Sequence, residues 1–165
     1  MPRKWVVSLV LGLLLSFACN SASGTEPKDL PKPTDWVSDF AHVLSPAAIK
    51  EIDSVCSRLD QSNADTQVAV VTIPTLDGAD IAKYATDLSN AWGVGSKKSS
   101  RGVLVLLAIK DHKWRIAVSR ALEGTLTDSK ALSIGEKMIP LLRANDFDGA
   151  VELAVNQIAR VVPPK

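Results

Sequence analysis

Cysteine, histidine and aromatic side chains are scarce in this chain. Its 165 residues include two cysteines, two histidines, one tyrosine, three phenylalanines and four tryptophans. Cys19 stands at the end of an apolar leader, so Cys56 is the one thiol further along and no disulfide framework can be built from it. Cys56 falls on the apolar side of a predicted helix, which reads as a buried, inert thiol. His42 and His112 lie far apart in the sequence, without metal-ligand spacing, and read as surface groups. Charge of one sign is also missing. The 19 basic residues face 18 acidic ones, and two of the basic ones, Arg3 and Lys4, belong to the leader. A near-neutral chain offers no broad nucleic-acid surface. No G-x-S-x-G elbow, P-loop, H-E-x-x-H or C-x-x-C occurs, and no general base is visibly placed for a serine nucleophile. Gly93-Val94-Gly95 follows a predicted helix instead of a strand, which argues against a dinucleotide fingerprint.

What is present begins with that leader. Arg3 and Lys4 precede an apolar run from Trp5 to Ala18, shorter than a comfortable membrane span. Residues 1–18 therefore read as a signal peptide. Ser16-Phe17-Ala18-Cys19 resembles a bacterial lipoprotein signal, with Ser16 where a leucine-like side chain is usual. On that reading Cys19 is lipidated and the protein is an exported, membrane-anchored lipoprotein of the cell envelope. Cleavage after Ala18 or Gly24 would instead release a soluble exported protein. Residues 19–35, rich in Ser, Pro, Lys and Asp, read as a linker.

The ordered part, residues 36–162, is organised around Trp92–Glu123. Gly93 and Gly95 permit a sharp end to the preceding helix. Residues 103–109 are almost wholly apolar, as in a strand buried on both faces. Trp114, Ile116 and Val118 alternate with Arg115, and the polar break at Lys110–Lys113 makes the two strands an antiparallel hairpin. Upstream, Ser45-Pro46 opens a helix whose apolar stripe is Ile49, Ile52, Val55, Cys56 and Leu59. Residues 67–73 form a first core strand, and Ile81, Tyr84, Ala85, Leu88 and Trp92 mark a second helix. Thr127 caps a third helix, which Pro140 should kink or end early. Asn145-Asp146 opens a fourth, which ends before Pro163. The order helix, strand, helix, strand, strand, helix, helix specifies an α/β three-layer sandwich, a mixed sheet with helices on both faces. Trp92, Leu104, Leu106, Ile116 and Val118 are expected in one core, with strand 103–109 central.

Several pieces, in this order, resemble the TPM domain family, which includes thylakoid-lumen proteins and bacterial YgcG-like envelope proteins. They are Trp36-Val37-Ser38-Asp39 with Val43-Leu44-Ser45, and Trp92-Gly93-Val94-Gly95 with Arg101-Gly102-Val103-Leu104. Asp111 with Ile116-Ala117-Val118 follows, then Leu122-Glu123-Gly124 with Thr127-Asp128, and Pro140 with Asn145-Asp146-Phe147 and Gly149. The resemblance implies an α/β fold with a small acidic surface site, and acid phosphatase activity is attributed to the plant branch. It points to Asp39, Asp111, Glu123 and Asp128. Two departures stand near the implied pocket: Ser119-Arg120-Ala121 replaces a glycine-rich approach, and Ser99-Ser100-Arg101 stands where an asparagine is common.

Each acid also has a structural reading. Asp39 can cap a turn, Asp111 suits a hairpin connection, and Asp128 complements a helix dipole. Glu123, in an apolar setting, wants a partner. Converging carboxylates would suit Ca²⁺ or Mg²⁺; no organic cofactor is implied. Two function classes follow. One is a non-enzymatic envelope module binding a partner protein, with a divalent cation ordering its acidic loops. The other is a metal-assisted phosphomonoesterase, with Lys97, Lys98 and Arg101 as a phosphate clamp. The first is the main expectation, with a lipid tether to the membrane and no nucleic acid. Cys19→Ala should move the protein from the membrane to the soluble fraction. An unchanged distribution, with no mass added at Cys19, would contradict lipidation.

Overall fold

A computed structural model describes residues 32–62, 65–95, 97 and 99–162. Cys19, the leader and most of the linker lie outside the described residues. The elements are β1 (Val37–Asp39), α1 (Pro46–Gln61), β2 (Thr66–Ile73), α2 (Ile81–Trp92), β3 (Arg101–Ala108), β4 (Lys113–Val118), a 3₁₀ turn (Arg120–Leu122), α3 (Asp128–Arg143) and α4 (Phe147–Val161).

Local chemistry sets the boundaries. Ser45 caps α1 by accepting from the Ala48 N–H, with Pro46 in the first turn. Asp80, Thr127 and Asp146 cap α2, α3 and α4 in the same way. Gly93, at φ 64°, ends α2 in the left-handed conformation expected of it. Gly102 is needed for a different reason: a Cβ there would lie 2.2 Å from the Val94 carbonyl oxygen, so the loop crosses directly over it.

The sheet order is β1-β2-β3-β4, with β1, β2 and β3 parallel and β4 antiparallel. The mixed sheet and the central place of β3 are as the sequence predicts. Val68, Val70, Val103, Val105, Leu107 and Ile116 face α1, α3 and α4. Ala69, Val71, Ile73, Leu104, Leu106 and Ala108 face α2. Helices therefore cover both faces, giving three layers. The β1–α1–β2 and β2–α2–β3 crossovers step the same way across the sheet, yet their helices lie on opposite faces. They are thus of opposite hand, and one departs from the usual right-handed rule.

Three expectations need correction. The five residues assigned to one core are divided by the sheet. Trp92, Leu104 and Leu106 lie on the α2 side, whereas Ile116 and Val118 lie on the other. Register is the reason: Ile116 pairs with Val105 and Val118 with Val103, so they share the face of those valines. Pro140 does not end α3 early, because the helix continues past it to Arg143. Its missing N–H leaves only the carbonyl of Glu136, an exposed residue, without a helical donor. The strand β1 was not expected at all; at three residues it is too short for an alternating pattern to show.

Trp114 illustrates how the α3 side is fitted. A Cβ on Gly135 would come within 1.9 Å of the Trp114 ring, so the helix glycine is what lets the indole lie against α3. The opposite face is closed partly by Phe40 and Trp92, edge to face at 6.2 Å. Leu106 is fully buried beneath α2. Leu106→Ala should cost about 2–5 kcal/mol in urea unfolding, and a loss below about 1 kcal/mol would contradict its central place.

Candidate functional site

The parallel strands β1, β2 and β3 finish at one edge of the sheet, where the β3–β4 hairpin also turns. The loop after β1 leads to α1 on one face, and the loop after β2 leads to α2 on the other. Diverging loops at carboxyl ends of parallel strands open the kind of crevice in which α/β proteins place their ligands.

Asp39 and Asp111 both lie at this edge, and each closes a loop. Asp39 Oδ1 accepts from the Val43 N–H at 3.2 Å and from the Thr72 hydroxyl, and Oδ2 accepts from the Leu44 N–H at 2.9 Å. Thr72, fully buried, also accepts from the Ala41 N–H at 3.2 Å. The β1–α1 loop is thus wound around one carboxylate. Asp111 Oδ2 accepts from the Leu76 N–H at 2.8 Å, tying the hairpin to the β2–α2 loop. The Leu76 N–H, followed by the Thr75 hydroxyl and the nearby Lys113, holds the Asp111 carboxyl below its ordinary value. The adjoining ladder continues past the strands, with Ile109 N–H donating to Ile73 O and Lys110 N–H to Pro74 O.

Glu123 and Asp128 are placed elsewhere. Chain direction reverses in β4, so Val118 and everything after it through Asp128 emerge at the opposite edge. β2 and β3 are eight residues long, and about 23 Å of sheet separates the two edges. Glu123 follows the 3₁₀ turn in an exposed position, and Asp128 is the exposed first residue of α3. The four acids therefore do not converge. The basic loop is also at the far edge: Arg101 opens β3 and its Nε donates to Thr66 Oγ1 at 3.1 Å. Lys97 is exposed, and Lys98 lies outside the described residues. A phosphate clamp there cannot meet Asp39 or Asp111.

As ligands for a Ca²⁺ or Mg²⁺ ion the four acids do not fit one site. Hard cations need several oxygens around one centre, whereas both Asp39 oxygens are engaged by protein donors and the rest are divided between edges. Among the described residues no group of three or more His, Cys, Asp or Glu is arranged to hold an ion.

Other sequence expectations are met. His42 and His112 are exposed. Cys56 is fully buried, and burial, with Asp53 and Asp35 adding, pushes its thiol up to about 12. What sequence reasoning missed is the role of Thr72 as the partner of Asp39, and a cavity behind the hairpin. A strand threonine and a scatter of apolar and basic residues carry no local signal for either.

These features define a class: a three-layer α/β domain whose parallel strands end in tightly clipped loops. The TPM domain profile matches residues 37–161, and the chain belongs to the TPM domain family. Among solved structures, the N-terminal domain of a protein from P. gingivalis is similar at 27% identity, with a TM-score of 0.74. That match covers 82% of this chain and 90% of that one. The N-terminal domain of the cg2496 protein from Corynebacterium glutamicum, 18% identical with a TM-score of 0.63, covers 82% and 85% respectively. The BA42 protein of Bizionia argentinensis, 17% identical with a TM-score of 0.58, covers 74% and 86%. The last two share the fold. A comparison with curated proteins finds no match.

Asp111 gives a signed pH prediction. A folded carboxyl held below its ordinary 3.8 stabilises the fold fully above that value and loses this contribution as pH falls through the lower folded value. Asp111→Asn should lower Tm at pH 7, and the gap to wild type should shrink as pH drops below 3.8. A gap that stays constant down to full protonation would contradict the charge-assisted bond.

Proposed function

We propose that this TPM domain is a non-enzymatic module of the cell envelope, tethered through a lipid on Cys19, which binds a partner protein with the loops at the carboxyl edge of its sheet. One observation carries this reading: the loops there turn through left-handed residues and are clipped by side-chain carboxylates. Of the six non-glycine residues with positive φ among the described residues, His42 (54°), Asp77 (48°) and His112 (50°) lie in the three loops of this edge, and Asn145 (59°) lies in the turn beside it. Such conformations cost free energy and persist where surrounding contacts enforce them. Asp39 and Asp111 supply that enforcement from within the loops. Pre-organised loops lower the ordering cost of binding. Asp65 (45°) and Ser100 (55°), at the other edge, flank the strand starts, where Ser99 Oγ donates to the Asp65 carbonyl at 2.6 Å.

Binding is favoured over phosphomonoester hydrolysis because the groups that hydrolysis needs are dispersed. Such catalysis requires a cation held by carboxylates and a cationic clamp on the same phosphate. Here Lys97 and Arg101 are separated from Asp39 and Asp111 by the length of the sheet, and Glu123 and Asp128, which share their edge, are exposed and belong to no group of three or more ligating side chains among the described residues. Assayed with a generic phosphomonoester in Mg²⁺ or Ca²⁺, the purified protein should show no turnover above buffer. It should crosslink in envelope preparations to a discrete protein, and Lys110→Glu with His42→Asp should abolish that crosslink without lowering Tm. Cation-dependent turnover lost in Asp39→Asn or Asp111→Asn would overturn the module reading in favour of an acid phosphatase.

A further inference from the structure

Behind the β3–β4 hairpin, on the α3–α4 side of the sheet, lies a cavity of about 440 Å³. Its walls come from two corners of the fold: the end of β3 with the hairpin, and the end of α3 with the turn into α4. The lining is largely apolar, with Leu107, Trp114, Ile139, Leu142 and Phe147 among its residues. Its charged members, Lys113 and Arg143, are both basic; His112 and the amide of Asn145 line it with them, and no acidic residue does.

That asymmetry is unexpected in a chain with nearly equal numbers of acids and bases. The acids nearest in sequence are turned to other tasks. Asp111 accepts from the Leu76 N–H on the α2 side of the hairpin. Asp146 caps α4 by accepting from the Gly149 N–H at 3.0 Å. Asp148 accepts from the Ser45 N–H at 2.8 Å, at the start of α1. Among the described residues Lys113 and Arg143 have no carboxylate at ion-pair distance. Lys113 does feel the charge of Asp111, which leaves Arg143 as the cation without a nearby counter-charge in this corner.

We infer that this cavity is a binding site for a small amphipathic carboxylate, its apolar body against Leu107, Trp114, Ile139 and Leu142 and its anionic head on Arg143 and Lys113. The volume is within the range of small-molecule sites, which are mostly apolar with a few placed polar groups. Arg143, with a planar fork of donors, suits a carboxylate held in two-point contact, and Asn145 adds an amide donor. An apolar body alone would not need two cations beside it. A hydrophilic anion would leave the indole and aliphatic walls unused. This inference is independent of the partner-binding reading, since it concerns the α3–α4 side and a different class of ligand.

Octanoate is a suitable probe, with octanamide and octylamine as controls of the same body and different heads. Titrated into the purified protein and followed by ¹⁵N–¹H NMR, octanoate should shift the Lys113, Trp114, Arg143 and Asn145 signals. It should bind at least about ten-fold tighter than octanamide, and octylamine should bind weakest, because a charge-assisted contact is lost in one control and reversed in the other. The double variant K113E/R143E should erase the preference for octanoate over octanamide while leaving Tm near that of wild type. Ile139→Ala should weaken octanoate and octanamide alike, separating the apolar contribution from the ionic one. Equal affinities for octanoate and octanamide, shifts confined to other parts of the fold, or a preference that survives K113E/R143E would each overturn the proposal.

Discussion

The pairing of β2 with β3 is the constraint on which the rest of the structure depends. Eight consecutive residue pairs run parallel from Thr66–Arg101 to Ile73–Ala108, and nearly every side chain along them is buried. A parallel pair must be joined by a crossover, and both of its faces must be covered. α2 supplies the crossover and one cover; α1, α3 and α4 supply the other. Because the two strands run the same way, their ends deliver loops to a single edge, and those loops diverge around the sheet. The clipped loops at Asp39 and Asp111 are a consequence of that pairing.

Much of this was legible in the sequence because the signals were periodic or local. The stripe Ile49–Leu59, the apolar run 103–109 and the capping residues Ser45, Thr127 and Asp146 each follow from short-range chemistry. Two features that depend on register or length were not legible. Placing Ile116 opposite Val105 is decided by how the hairpin closes, and a one-residue change in that closure would exchange the faces. β1 has only three residues, with Ser38 among its buried members, so no alternation announces it. Pro140 shows a local rule yielding to packing: Met138 is fully buried and Leu141 and Leu142 pack against the same core, so the helix is retained through the proline.

The candidate site was less legible than the fold. Family resemblance pointed to four acids, and their types and spacing gave no way to see that β4 turns the chain back. That reversal sends Glu123 and Asp128 to the edge opposite Asp39 and Asp111. The bland readings of Asp39 as a turn cap and of Asp128 as a first-turn acid describe their observed contacts and positions. The cavity at Arg143 was invisible for a related reason. Its walls are contributed by two separate stretches, residues 107–114 and 139–147, and its charge asymmetry arises only once Asp111, Asp146 and Asp148 have been engaged by backbone donors.

Side-chain carboxylates hold the loops at the carboxyl edge in place. Hydrogen exchange at the Val43, Leu44 and Leu76 amides measures this most directly, because their hydrogen-bond acceptors are Asp39 and Asp111. Protection at these three loop amides should approach that of the β2 and β3 amides, and should be lost selectively at Val43 and Leu44 in Asp39→Ala. Exchange at these amides as fast as in an exposed loop of the wild-type protein would contradict it.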